Sequence, residues 1–210
     1  MLISAILICK DSMEFIGSCI QSILDQDHPL DEIIAVDGGS TDGTIAYLEQ
    51  FSEVVIIHQK GVGIANARNQ GILASKGELL AFIDSDDCWA IPKLGIQHEI
   101  LRVHPELEAT GGHLVKSDNP ECIPAMTPGG FLFRRKVFDR YGLFNEIWKV
   151  AADHEWFIRA IRTGITYKIH PETILLKRIH KNNLSVLHKG KYREEMMNIF
   201  RQHGPSNSKP

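Results

Sequence analysis

ELLAFIDSDDCW (Glu78–Trp89) runs from an apolar segment straight into three carboxylates within four positions, Asp84, Asp86 and Asp87. LLAFI is a short continuous apolar run, the pattern of a strand covered on both faces. Working outward toward the N-terminus, the same signal recurs in ISAILIC, EIIAVD and VVIIHQ. Between these runs lie segments of helical period. One carries Phe15, Ile16, Cys19, Ile20, Ile23 and Leu24; a second carries Ile45, Leu48 and Phe51; a third, from about Gly63 to Ser75, places Ile64, Ala67, Ile72 and Leu73 inward and is stopped by Gly77. Alternating strands and helices predict an α/β chain with a doubly wound, mainly parallel sheet.

Beyond Asp87 the rhythm changes. PKLGIQHEILRVH reads as a helix with Pro92 near its first turn, and SDNPECIPAMTPGG as a long loop. GGFLFRRKVFDRYG reads as a strand or short helix edge. AADHEWFIRAIRTG is an amphipathic helix with Trp156, Phe157, Ala160 and Ile161 inward, followed by two short strands, TYKIH and TILLKRIH. We expect one domain over residues 1–202, divided at about residue 90, and a disordered polar tail over 203–210.

Composition narrows the function classes. The chain has 210 residues, 43% of them hydrophobic, which suits a single substantial core. With 23 basic against 26 acidic residues the net charge is -3, so no field favours nucleic acid as a partner. The four cysteines are widely spaced without a CxxC pair, as expected of a reducing cytoplasm. MLISAILICKDS lacks the basic start and cleavage site of a signal peptide and reads as the first strand.

The carboxylates carry the chemistry. In an extended strand, residues two apart share a side, so Asp84 and Asp86 are expected to face one way and Ser85 and Asp87 the other. A like-charged pair is tolerable around a cation, and oxygen ligands suit Mg²⁺ or Mn²⁺. Ligands of open parallel sheets bind beyond the carboxyl ends of the strands, where Asp11 and Asp37 also fall. A Mg²⁺ site with few protein ligands is completed by substrate phosphates. The competing reading of SDSDD is a solvated, helix-capping turn, and Asp42 reads as a helix cap. GVGIANARNQG has Asn66 where a dinucleotide fingerprint needs its third glycine and no GK[ST] ending. Arg68 and Asn69 are either a solvated face or groups that orient the acidic cluster. Asp153 and Glu155, two apart on a helix, point in different directions and need separate roles. His180 reads as a loop histidine or a ligand for metal or phosphate.

In order and spacing, SAILICKDS, VDGGSTDGT, ANARNQGI, GELLAFIDSDDCW, GGFLFRRKVFDRYGLF, ADHEWFIRA and RIHKNNLS resemble the family-2 glycosyltransferases of the GT-A fold. The resemblance implies a Rossmann-like nucleotide-sugar-binding half (1–90) and an acceptor-side half (91–202). It implies inverting transfer of a sugar from a nucleoside diphosphate donor, expected to be a UDP-sugar, to an acceptor hydroxyl in glycan or polysaccharide synthesis, with Mn²⁺ or Mg²⁺ on the diphosphate. By position it makes Asp153 the general base. Cys9, Asp11, Asp37, Arg68, Asp84 and Ser85 become the nucleotide-binding set, and Asp86 and His180 the metal-binding pair. Relatives commonly read P-x-Y-N where this chain has Ile8, Cys9, Lys10 and Asp11, and the acidic residue that often precedes the base is Ala152. The acceptor class is a glycan, lipid-linked or protein acceptor. The basic amphipathic end HKGKYREEMMNIF is read as a docked or dimer-forming helix, or as a peripheral contact at the inner face of the membrane. The alternatives are a non-catalytic nucleotide-sugar-binding protein and a sugar nucleotidyltransferase; KDSMEF lacks the Gly-rich basic signature expected of the latter.

Overall fold

In the computed structural model, which describes residues 1–203, the four apolar runs form β1 (Ile3–Cys9), β2 (Glu32–Asp37), β3 (Val54–His58) and β4 (Leu79–Asp84). They pair in parallel in the order β3-β2-β1-β4. Every residue of β1 is buried, and its side chains divide between two layers. Ile3, Ala5, Leu7 and Cys9 pack with Ile16, Cys19, Ile20 and Ile23 of α1 (Ile16–Leu24), whereas Ile6 packs with Ile72 of α3 (Ile64–Ala74). Coverage of both faces is why these strands are continuously apolar. The crossover between β2 and β3 holds the short α2 (Thr44–Leu48).

The acidic turn leads into β5 (Cys88–Trp89) and α4 (Lys93–Val103), then β6 (Ala109–Lys116), β7 (Asn119–Pro124), β8 (Phe131–Arg134) and α5 (Lys136–Tyr141). The chain continues through α6 (Ala152–Arg162), β9 (Tyr167–Lys177), α7 (Leu184–Leu187) and α8 (Lys189–His203). The sheet continues as β4-β8-β6-β9-β5, with β7 beside β6. Pairing is antiparallel at β4/β8, β8/β6, β6/β7 and β9/β5, and parallel at β6/β9. The expected doubly wound α/β architecture is present, with a mixed second half. Because β4 and β5 are joined by only the acidic turn yet lie apart along the strand order, the sheet curls and closes its far edge toward that turn.

Several local expectations change. SDNPECIPAMTPGG contains β7, whose Pro120 and Pro124 are tolerated because the strand is exposed at an edge. TYKIH and TILLKRIH are one strand, β9, whose irregular register against β6 accommodates the intervening Pro171. Strand β6 is not among the expected elements; its Gly111-Gly112 pair interrupts the apolar pattern by which the other strands are recognised. Both glycines are there for close approach: a Cβ on Gly111 would lie 2.6 Å from the Phe131 ring, and one on Gly112 would lie 2.5 Å from Ile174 Cγ1. Gly77 does not terminate α3, which ends at Ala74; a Cβ at Gly77 would lie 2.4 Å from Ser4 Oγ. Leu73 and Ile161 face outward, 73% and 42% exposed. Ala67 and Ile72 are inward as expected, and Ala65, Arg68, Asn69 and Gly71 are buried with them, so two polar residues occupy positions that helical period assigns to the core. Beneath α6, Phe82, Phe131, Phe133, Phe138, Phe144 and Trp156 form an aromatic layer, and Trp156 Nε1 donates to the Gly142 carbonyl at 2.8 Å.

Candidate active site

The strand β4 ends at Asp84, and the chain turns at once: Asp87 N donates to the Asp84 carbonyl at 3.0 Å. Asp84 and Asp86 therefore do not share a side by strand alternation. The turn does more than alternation could, bringing one carboxylate oxygen from each of Asp84, Asp86 and Asp87 within 4.8 Å of one another. Ser85 points away, its N–H donating to the Ile8 carbonyl at 3.1 Å and its hydroxyl 2.6 Å from that of Ser12. This pins the turn to the end of β1.

Each carboxylate is met by a donor from a distant element. Arg68, 1% exposed on α3, donates through Nη2 to Asp84 Oδ1 at 2.7 Å and through Nη1 to Asp153 Oδ1. Its guanidinium lies 5.7 Å from the centre of the Phe144 ring. Lys177, the last residue of β9, reaches Asp87 Oδ2 at 3.2 Å, and Arg178 N donates to Asp87 Oδ1 at 3.0 Å. Asp86 Oδ2 is met by His180 Nε2 at 3.0 Å and accepts from Asn183 Nδ2 at 2.9 Å. The His180 ring stacks on Phe15 at 4.7 Å, and the Arg178 guanidinium lies 5.5 Å from the same ring. The segment after β9 is thus a strap across the acidic turn. Lys177, Arg178 and Asn183 escaped the sequence reading; the basic run KRIHK was the available signal.

Electrostatics follow from this crowding. Burial disfavours the Asp84 carboxylate, but Arg68 and Lys177 outweigh it and hold the group below its usual range. Burial pushes Asp87 up to about 7, with Asp84 and Asp86 adding to the rise against the pull of Lys177 and the Arg178 N–H. Lys177 is held in its charged form: burial works against it, and Asp87, Asp84 and Asp86 prevail. Asp153, in the first turn of α6, is raised by burial despite Arg68. Glu155 faces elsewhere, 1% exposed and bonded to Arg159 Nε at 2.8 Å, so the two acids do have separate surroundings.

The other strand ends are built differently. Asp37, 2% exposed, accepts from Gly39 N at 3.0 Å, Ser40 N at 3.1 Å and Ser40 Oγ at 2.5 Å. Asp11 is exposed, takes a left-handed conformation with φ 45°, and accepts from Thr41 N at 2.8 Å. Cys9 lies in the core beneath α1, its thiol 3.9 Å from Asp37 Oδ1; burial, with Asp37 adding, pushes it up to about 12 and keeps it neutral. Asp42, read as a helix cap, stands one residue before the N-cap Gly43 of α2 and from there bonds Thr44 N at 3.0 Å and Met13 N at 2.8 Å. Since β1 separates β2 from β4, Asp37 and Asp84 stand about 10 Å apart, two strand spacings.

Three clustered carboxylates offer the hard oxygen donors that Mn²⁺ or Mg²⁺ takes. Among the described residues no hydrogen bond engages Asp86 Oδ1 on a side chain 24% exposed, and the buried Arg178 Nη1 has no partner. The donor set therefore fits a divalent cation, with an unpaired cationic donor beside it suited to an anion.

The sequence matches glycosyl transferase family 2 over residues 4–157, from β1 through the start of α6. The chain belongs to that family. Among its family-2 relatives, TuaG of Bacillus subtilis, whose name places it in teichuronic acid biosynthesis, is 37% identical over 105 residues, 48% of this chain and 42% of that protein. EpsJ of B. subtilis, an uncharacterized glycosyltransferase, is 26% identical over 216 residues, 88% of this chain and 63% of that one. The chain thus spans about half the length of these curated relatives. The GT-A fold is shared with S. aureus TarS 1–349, solved with UDP-GlcNAc, at a TM-score of 0.80 and 18% identity over 96% of this chain and 66% of that one. It is shared also with the Pyrobaculum calidifontis mannosyltransferase PcManGT, solved with GDP-Man and Mn²⁺, at a TM-score of 0.76 and 18% identity over 99% of this chain and 65% of that one.

Proposed function

We propose that this family-2 chain, as a single domain over residues 1–202, transfers a sugar from a UDP-sugar to a hydroxyl of a glycan, lipid-linked or protein acceptor, with inversion, in polysaccharide synthesis. The observation that carries this reading is the buried Arg68 bridging Asp84 to Asp153. It gathers the strand-end carboxylate read as donor-side and the helix-borne carboxylate read as the base around one cation, so that both belong to a single site. The acceptor oxygen forms its bond to the anomeric carbon as the bond to the diphosphate oxygen breaks, and the acceptor proton passes to Asp153. A carboxylate raised above its ordinary range is a better proton acceptor, provided that it is ionised at working pH.

On the donor side, Asp37, backed by Cys9, and Asp11 flank the nucleoside, with Asp84 toward the ribose and Ser85 and Arg68 fixing the geometry. Asp86 and His180 would hold Mn²⁺ or Mg²⁺, with Asp84 and Asp87 alongside, and the ion would neutralise charge on the departing diphosphate. Arg178 and Lys177 supply further positive charge at the same place. Among the described residues no helix is long and apolar enough to cross a membrane, and we place the reaction in the cytoplasm, the inner membrane face included.

The test is a thermal-shift panel of nucleoside diphosphates and their sugars with and without Mn²⁺. Binding to the folded form at 100 times Kd stabilises by about 2.7 kcal/mol. Asp153→Asn is expected to bind UDP like the parent and to lose turnover. A panel in which no nucleoside diphosphate binds in a metal-dependent way would sink the metal-dependent reading, and an Asp153→Asn variant with full turnover would remove the base.

A further inference from the structure

Helix α6, which presents Asp153, has no side-chain cap of its own. Ala151 stands at its N-cap and Ala152 in its first position, so although Asp153 and Glu155 suit the dipole of the first turn, no local side chain takes up the N–H groups of the entry. The stabilising group comes from α8. Glu195, 6% exposed, accepts from Lys149 N through Oε1 at 2.9 Å, and from Val150 N and Ala151 N through Oε2, both at 2.9 Å. One carboxylate thereby takes up three successive peptide N–H groups, ending two residues before Asp153.

The rest of α8 reinforces this grip. Tyr192 Oη lies 3.3 Å from Nε2 of His154, the neighbour of Asp153, with the two rings edge-to-face at 5.4 Å. His203 Nε2 lies 3.2 Å from Glu155 Oε1, and Ile199 is fully buried. Charge-assisted bonds to backbone N–H groups are about twice as strong as neutral ones, and the three bonds hold Glu195 below the usual carboxylate range although it is buried. A group of this strength, spent on a loop entry rather than on its own helix, is a device for fixing that loop.

We propose that Glu195 is a positioning residue for proton transfer: by holding Lys149–Ala151 it fixes the start of α6 and so the place of the Asp153 carboxylate opposite the acceptor hydroxyl. The inference rests on the reading of Asp153 as the base. It gives the C-terminal helix a role in turnover, distinct from membrane or dimer contact.

The experiment uses the full chain with Glu195→Gln, which keeps the shape but offers one acceptor oxygen and an amide that opposes the N–H groups. Glu195→Ala is the harsher variant, and Met197→Ala, an exposed change on the same helix, is the control. Glu195→Gln should exchange its amides faster at residues 149–151, bind UDP with Mn²⁺ within about twofold of the parent by calorimetry, and lose kcat for nucleoside diphosphate release by about 10- to 100-fold, the cost of misplacing a reacting group by an ångström or less. Met197→Ala should change none of these. Unchanged kcat in Glu195→Gln overturns the proposal, as does a loss of kcat matched by an equal loss of UDP binding, which would mark a merely structural role. Should Asp153→Asn keep its turnover, the base reading falls and the positioning role with it; full loss in Asp153→Asn beside an unchanged Glu195→Gln refutes the positioning role alone.

Discussion

Asp37 and the Asp84–Asp87 turn sit at the ends of neighbouring parts of one sheet and solve the same problem in opposite ways. Asp37 is satisfied chiefly by Gly39 and Ser40, two and three residues on, through short-range bonds, with the Cys9 thiol at 3.9 Å and His58 at 3.8 Å as weaker partners. The acidic turn is satisfied by Arg68 of α3, Lys177 of β9 and the His180–Asn183 strap, none of them its neighbours in sequence. The first arrangement forms as soon as the loop forms. The second exists only when both halves of the chain are assembled, so it couples the site to the whole fold.

The largest effect that would break this contrast is Arg68→Met. Removing the buried cation leaves Asp84 and Asp153, 27% and 22% exposed, without their partner, a loss approaching but below the roughly 3–5 kcal/mol of a fully buried pair. Urea denaturation measures it, and a loss under 1 kcal/mol would show the turn to be self-sufficient. The next test uses pH. Asp87 keeps its proton in the folded state up to about 7, whereas unfolded it releases it near 4. The stability this group contributes is therefore complete below pH 4 and is lost as the pH climbs to 7. Asp84, held low, has the opposite sign and loses its contribution on acidification. Urea midpoints between pH 4.5 and 7.5 should decline less steeply with rising pH in Asp87→Asn than in the parent.

Smaller losses are expected on the self-contained side. Asp37→Ala removes the acceptor of the Gly39 and Ser40 N–H groups, which can turn to solvent, costing about 0.5–1.5 kcal/mol per bond, without altering the pH profile of the acidic turn. Asp42→Ala removes the acceptor for Thr44 N at the entry to α2 and should cost about 1 kcal/mol by the same denaturation assay.

What the sequence made legible follows the same division. The run from β1 to β4 was readable because each strand is apolar throughout and each helix has a spaced stripe, and Asp37, Asp84 and Asp86 stand out at the strand ends. Arg68 was noticeable too, and its place at a core position of α3 is what settles it as an inward group. Of the two readings of SDSDD, the turn holds and the shared side by alternation does not, because alternation lasts only while the strand does. Strand β6 was hidden by its glycine pair and β7 by its prolines, since both residue types signal turns unless a neighbour's close approach or an exposed edge explains them. Lys177 and Arg178 are marked only by the basic run KRIHK, and Asn183 and Glu195 carry no such mark; their meaning lies in partners from other elements, which the tertiary structure supplies.

The single guanidinium shared by Asp84 and Asp153 has an evolutionary and practical corollary. Substitutions at these two positions are epistatic: a change at either carboxylate returns through Arg68 to the other, so their effects will not add. Removing the Asp153 side chain altogether therefore also changes what Arg68 offers Asp84, whereas an isosteric amide that still accepts from Arg68 disturbs it least, and moving either carboxylate to another scaffold has to carry position 68 with it.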